Sequence, residues 1–299
     1  MSTYFGNENA GLQIAVNHGP VYFSSDQPKT PQEIDNGSYR HASPELLLSM
    51  TAELLRSLVF SQMLDRRDNI EPRHINTCEW ILELDEYKSW RSQPRGLLWI
   101  KRNPGTGKST MMAFLYEQLE QERDQGIRLD FFFTARGTEM QYTPLGMFRS
   151  LLSQIFNGDF TSRPKLRKLY EQRCREFGGQ KWEWPRVVLE KLLANVILES
   201  TSRWYVTISV DALDEAGAES AQQIAVYFNR LIDRAGKAAI YVCISCRYYP
   251  IVKSARTVEV HMEDHNHDDI AAYIKGTLMD TDVRDSPSED SEMQKLLVK

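Results

Sequence analysis

Between Arg102 and Thr110 the chain reads RNPGTGKST. Gly105 and Gly107 permit a tight turn in which backbone N–H groups close around an anion, because residues without a Cβ accept the backbone angles such a turn needs. Lys108 would reach the β- and γ-phosphates of a nucleotide as a point charge, and Ser109 would place its hydroxyl on Mg²⁺. Thr110 would neighbour the α-phosphate, and Asn103, Pro104, Gly105, Thr106 and Gly107 would form the phosphate cradle itself. The pattern G-x-x-x-x-G-K-[ST] is complete except at its entry, where Arg102 stands in place of glycine. If that position requires a positive φ, the strain is about 1–2 kcal/mol, so weakened rather than abolished binding is expected.

A second set of reactive groups lies about a hundred residues further on, in WYVTISVDALDE. Asp211 ends the apolar run, with Asp214 and Glu215 just beyond it. A hard cation is held by carboxylate and water oxygens, so Asp211 suits the Mg²⁺ shell, while Asp214 or Glu215 would orient or deprotonate an attacking water. A solvated acidic turn has the same composition. A third run, AIYVCISCRYYP, ends in Arg247. Ligands of open α/β sheets bind beyond the carboxyl ends of the strands, where Arg247 could sense a γ-phosphate. An arginine at a strand end also occurs as a plain surface residue.

These groups need a scaffold that delivers them to one edge. From Gly96 onward, short apolar runs alternate with amphipathic helical stretches, the pattern of a parallel α/β sheet. The runs are LLWIK, IRLDFFFTA, WYVTISVD, AIYVCISC and TVEVHM. Helical faces fall at Met111, Leu115 and Leu119; at Leu145, Phe148, Leu152 and Ile155; at Leu189, Leu192, Leu193, Val196 and Ile197; and at Ile224, Tyr227, Phe228, Leu231 and Ile232. A last face, Ile270, Tyr273 and Ile274, is expected to pack on the core like the others. Upstream, Ser43-Pro44 opens a helix striped by Leu47, Met50, Leu54 and Leu58, a polar stretch follows, and Asn76 with Glu79 reads as a capping box for another helix.

The organisation expected is therefore a segment 1–25, a linker 26–43 rich in Pro, Ser, Asn and Gly, a helical extension 44–95, an α/β domain 96–278, and an acidic tail 279–299 that would begin a further helical region. The formal charge of -5 and the lack of a basic stripe argue against nucleic acid as a partner. Four scattered cysteines point to a reducing compartment. Cys243 and Cys246 have the spacing of half a zinc site, but sit inside an apolar run with no second pair. No basic-then-apolar leader occurs at Met1, and no apolar run approaches the roughly 20 residues that cross a bilayer, so a cytoplasmic protein without a transmembrane segment is expected.

Five blocks fall in order along the chain: CEWILELDEYKSW, GLLWIKRNPGTGKSTMM, LDFFFTARGTEMQYTPLGMFRSLLSQIF, ISVDALDEA and CISCRYYP. Together they resemble the NACHT-type P-loop domain of STAND proteins, in particular the nephrocystin-like N-terminal domain of fungal NOD-like receptors. The resemblance implies a P-loop NTPase of the ASCE type, a five-stranded parallel sheet flanked by helices, binding ATP or GTP with Mg²⁺. It implies slow or absent hydrolysis, self-association on activation, and a role as a signalling switch. By position, Gly107, Lys108 and Ser109 match Walker A, Asp211 matches Walker B with Asp214 and Glu215 as its acidic extension, and Arg247 matches sensor 1. The segment from Ile75 to Trp90 is expected to line the adenine side.

The N-terminal FGNENAGLQIAVNHGPVYF resembles the short sigma-type amyloid motif of sesB-like fungal proteins, which implies a flexible segment that templates an effector by strand addition. A structureless leader is the plainer alternative. Two other readings stay open at this level: a P-loop kinase, which would need a lid of arginines such as Arg136, Arg149 and Arg186, and a scaffold whose nucleotide site has decayed.

Overall fold

The computed structural model describes residues 44–101, 107–122, 126–159, 161–178, 180–247 and 256–282. The N-terminal motif and linker (1–43), Arg102, the turn residues Asn103, Pro104, Gly105 and Thr106, and the tail after 282 lie outside the described residues.

Each of the five apolar runs is a strand: β1 (Arg95–Lys101), β2 (Gly126–Phe132), β3 (Tyr205–Asp211), β4 (Ile240–Cys246) and β5 (Thr257–His261). They pair in parallel in the order β2-β3-β4-β1-β5. The loop strand β1 and the aspartate strand β3 are thus separated by β4, the ASCE arrangement. Side chains alternate across a strand with period two; β1 and β4, covered on both faces, read as near-continuous apolar runs, whereas β2 (GIRLDFF), β3 (YVTISVD) and β5 (TVEVH) keep polar residues at alternate positions. Leu97 and Trp99 of β1 join one core layer with Ile240, Val242 and Ile244 of β4. Leu98 and Ile100 join the other, with Tyr241 and Cys243. Burying each such side chain contributes about 1.5–3 kcal/mol.

The first layer is closed by α1 (Pro44–Leu58), α7 (Pro144–Gly158), α9 (Arg186–Ser200) and α10 (Ala218–Arg234), the second by α3 (Trp80–Glu83), α4 (Asp85–Ser92) and α5 (Lys108–Glu122). The expected faces of α5, α7, α9 and α10 are buried, apart from a half-buried Leu145, and the extension belongs to the same core, with Leu54 and Leu58 of α1 fully buried. The turn of helix α6 (Glu139–Tyr142) runs into α7, whose first turn is capped by Thr143 with Pro144 at its first position. Gly146 makes that junction: a Cβ there would lie 1.7 Å from the Met140 carbonyl oxygen.

Two expectations change, and one segment gains a turn. Asn76 is not a helix cap but sits at φ 63°, and the helix it was to start opens at Trp80, because Asn76 and Cys78 (φ 69°) both turn left-handed. The polar stretch after α1 contains a single turn, α2 (Asp65–Asp68). The apolar face of α11 (His267–Asp282) does not pack on the core: Ile270, Tyr273 and Ile274 are 41%, 55% and 37% exposed. The helix follows β5 at the sheet edge, where among the described residues no further strand lies beneath it. Helix α8 (Arg163–Glu176) was not legible, since its single buried residue is Leu166.

The edge strand β2 is blunted by a side chain. The Gln154 amide accepts from the Asp130 backbone N–H at 2.8 Å and donates to the Asp130 carbonyl at 2.7 Å, satisfying backbone groups that an edge strand would otherwise present.

Candidate functional site

The carboxyl ends of β1, β3 and β4 form the edge at which the predicted groups meet. At the head of α5, Gly107 takes φ 82°, a left-handed angle that glycine adopts without a steric penalty, and its carbonyl accepts the Met111 N–H at 2.9 Å. The chain therefore enters the helix at Lys108, which places the helix's unpaired N–H groups and its positive dipole end beside Ser109 and Thr110.

Ser109 Oγ donates to Asp211 Oδ2 at 2.6 Å, joining the helix start to the end of β3. The other carboxylate oxygen, Oδ1, accepts from Ser245 Oγ at 2.5 Å. Ser245 Oγ in turn accepts the Ala212 N–H at 2.8 Å. Asp211 is fully buried. Burial pushes its carboxyl above the ordinary range, while the hydrogen bonds from Ser109 and Ser245 and the charges of Arg66 and Lys108 act against that rise. Immediately after it the chain turns left-handed at Ala212 (φ 54°, ψ 45°), a conformation that costs a residue with a Cβ about 1–2 kcal/mol. That turn lets the following residues double back along the sheet edge.

Asp214 and Glu215 lie in the 3₁₀ turn Leu213–Ala216. Asp214 is held by Arg247 twice, through the Arg247 backbone N–H to Oδ1 at 3.0 Å and through Nε to Oδ2 at 2.9 Å. Glu215 Oε2 accepts the Ala135 N–H at 2.7 Å. The structure thus brings Lys108, Ser109 and Asp211 together, and links Asp214 to Arg247 beside them. Of the predicted site residues, Asn103, Pro104, Gly105 and Thr106 fall outside the described residues.

A fit to Mg²⁺ can be judged from the donor set. Magnesium takes one or two carboxylates, hydroxyl or water oxygens, and substrate phosphates rather than an all-protein cage. A serine hydroxyl touching a buried aspartate supplies that kind of half-shell, and among the described residues no group of three or more His, Cys, Asp or Glu could hold a metal by itself. Cys243 and Cys246 are buried free thiols, and burial pushes the Cys246 thiol up to about 12, so neither offers a thiolate.

Beside Gly107 and Thr110 opens a cavity of about 390 Å³, walled by the segment Glu71–Cys78 and by the first turns of α11. Asp269 of α11 fastens the two walls: its Oδ2 accepts the Cys78 N–H at 2.8 Å and the Trp80 Nε1–H at 2.9 Å. His265 stacks on Trp80 with ring centroids 5.2 Å apart. Of the segment Ile75–Trp90 that sequence reasoning set near the loop, only Thr77 and Cys78 line this cavity; Glu71–His74 and α11 as the opposing wall were missed.

Two other site residues were missed. Ser245 is the polar position of an otherwise apolar strand, and the β3–β4 register, in which Val210 faces Ile244, carries it to Asp211. Arg66 comes from α2 and donates from Nη2 to Ser109 Oγ at 3.2 Å; no motif singled it out.

Comparison with known proteins bears on the same residues. The family described as "Nephrocystin 3, N-terminal" matches residues 76–247, more than half of the chain, from the cavity segment through Arg247. The vegetative incompatibility protein HET-E-1 of Podospora anserina is 24% identical over 146 residues, covering 48% of this chain and 10% of that protein. Among solved structures, PCH-2 of C. elegans shares 12% identity over 83% of this chain and 50% of that chain, with a TM-score of 0.31. The Walker-type ATPase PABY2304 of Pyrococcus abyssi shares 14% identity over 74% of this chain and 64% of that chain, with a TM-score of 0.34. The chain thus spans a tenth of the curated relative it matches. Among the described residues no helix is long and apolar enough to cross a membrane. With the helix-start serine on the strand-end aspartate and the family match running through both, the chain belongs to the nephrocystin 3 N-terminal family.

Proposed function

We propose that this chain binds ATP or GTP with Mg²⁺ through Lys108, Ser109, Thr110 and Asp211, and acts as a STAND-type switch rather than as a turnover enzyme. The observation that carries the reading is the contact of Ser109 with Asp211, two candidate metal ligands supplied by elements 102 residues apart. Lys108 would meet the β- and γ-phosphates, and the loop amides with the α5 terminus the remaining phosphate oxygens. Bound Mg²⁺ would neutralise phosphate charge. The cavity beside Gly107 and Thr110 is of a size that small-molecule sites commonly have, and it is the candidate base site.

Holding is favoured over fast hydrolysis by the partners of the acidic extension. With Asp214 bound to Arg247 and Glu215 to a backbone amide, neither carboxylate stands ready as a base, and activation would require Arg247 to let Asp214 go. A kinase lid finds no support in Arg149, which donates to the carbonyls of Leu58 and Val59 at 3.1 Å each, as a structural brace. The relative's name, a vegetative incompatibility protein, supports a role in fungal self-recognition signalling; self-association on activation and an effector engaged through residues 1–25 complete this reading from the sequence resemblance alone.

The test is an equilibrium titration of labelled ATP and GTP with Mg²⁺ into the wild type and Lys108→Ala. A loss of about tenfold or more in the variant is expected, since one charge-assisted phosphate contact is removed. Equal affinity in the two proteins would remove the reading. If Lys108→Ala binds nothing yet still seeds effector aggregation, the alternative of a scaffold with a dispensable nucleotide site takes its place.

A further inference from the structure

Arg66 lies outside the P-loop blocks, yet it reaches the centre of the site. Its Nη2 donates to Ser109 Oγ at 3.2 Å, the same oxygen that donates onward to Asp211 at 2.6 Å. Nε of the same guanidinium is buried with no hydrogen-bond partner among the described residues. The guanidinium contact on Ser109 sets its charge beside the fully buried Asp211, the charge at this edge that needs compensating.

The backbone that carries Arg66 is pinned on both sides. Ahead of it, Arg149 grips the carbonyls of Leu58 and Val59, and the Gln141 amide donates to the Gln62 carbonyl at 3.0 Å. Behind it, Arg67 pairs with the buried Asp130 of β2 at 3.0 Å. The neighbouring arginine is therefore the anchor, and Arg66 is the residue aimed inward.

We propose that Arg66 is a tethered cation of this site, which holds the Ser109–Asp211 pair when no divalent ion is bound and competes with Mg²⁺ for it. The proposal rests on the nucleotide reading above, because Mg²⁺ arrives there with phosphates. A serine oxygen that coordinates Mg²⁺ lends it a lone pair, and a guanidinium on that oxygen places two cations side by side; loading the metal requires Arg66 to withdraw. Arg66 thus positions the ligand pair and sets how much Mg²⁺ is needed, rather than reacting with anything itself.

The experiment uses the full 299-residue chain, with a fluorescent ATP analogue as probe and Mg²⁺ titrated at fixed nucleotide, each protein normalised to its own binding in EDTA. Arg66→Gln should lower the Mg²⁺ midpoint by about three- to tenfold, and Arg66→Lys, which retains a mobile charge, should fall between. An unchanged or higher midpoint would overturn the proposal. So would a loss of ATP affinity with ADP affinity intact, which would make Arg66 a γ-phosphate ligand instead. Arg66→Met, which keeps the aliphatic stem, replaces Arg66→Gln if the latter does not fold. To separate this outcome from failure of the nucleotide reading, Mn²⁺ binding without nucleotide is followed by electron paramagnetic resonance. Tighter Mn²⁺ binding in Arg66→Gln than in wild type supports the tethered cation even if Lys108→Ala and wild type bind ATP alike, and equal Mn²⁺ binding counts against it.

Discussion

Ser109 and Asp211 share a 2.6 Å hydrogen bond although 102 residues separate them in the chain. One opens a helix, the other ends a strand two places away in the sheet, and the parallel order of the strands brings both to the same edge. If they act as one half-shell for Mg²⁺, their effects cannot be independent. Ser109→Ala and Asp211→Ala should each reduce Mg²⁺-dependent nucleotide affinity by about tenfold or more, and the double variant should lose less than the product of the two. Coupling of about 0.5–3 kcal/mol in a double-mutant cycle is the expected result, since residues in direct contact are non-additive on that scale. Strict additivity would show that they serve the site separately.

The burial of Asp211 has a consequence for stability. Its carboxyl is raised above its unfolded value, so the fold favours the protonated form and pays for the charge as pH rises. Asp211→Asn should therefore gain thermal stability relative to wild type as pH rises from about 4, the unfolded carboxyl range, through the raised folded value, while losing Mg²⁺ dependence. Paired melting curves across that range check this, and a wild type that becomes the more stable protein at neutral pH would contradict it.

Asp159 behaves in the opposite sense. Burial opposes its ionisation, but hydrogen bonds from Ser200 and Thr161, both at 2.6 Å from their hydroxyls, outweigh it and hold the carboxyl below its usual range. The stability it contributes is present above the unfolded value and disappears as pH falls through the lowered one. Asp159→Asn should cost about 1–3 kcal/mol at pH 7, measured by urea unfolding, and the deficit should close under strongly acidic conditions.

At the junction of α6 and α7, Gly146→Ala would set a methyl group into the Met140 carbonyl. Backbone cannot swing aside as a flexible side chain can, so a loss of about 1–3 kcal/mol or more is expected, seen as a lower urea midpoint with an unchanged slope. Wild-type stability in this variant would mean that the helix start is not held as tightly as the close approach indicates.

Much of this was readable from the chain. Five short runs became the five strands because β1 and β4 are apolar throughout, while β2, β3 and β5 carry the period-two alternation that also marks a strand. The meeting of Ser109 with Asp211 beside Lys108 was foreshadowed because each stands at a fixed spacing from a strand or helix end at the same edge of a parallel sheet. The face Ile270, Tyr273 and Ile274 showed the limit of such reading: periodicity records that a helix has an apolar side and cannot say whether anything lies against it.

The sequence by itself therefore determined the strands, the apolar faces of the main helices and the identity of the charged groups, since backbone sterics and side-chain period act over a few residues. Only the tertiary structure decided who meets whom. Strand order delivered Ser245 to Asp211, the docking of α2 delivered Arg66 to Ser109, and the pairing of Arg247 with Asp214 withdrew a carboxylate that its position alone would have made a base. These are contacts between distant segments, fixed by the packing of whole elements against one another, and no local pattern in the chain encodes them.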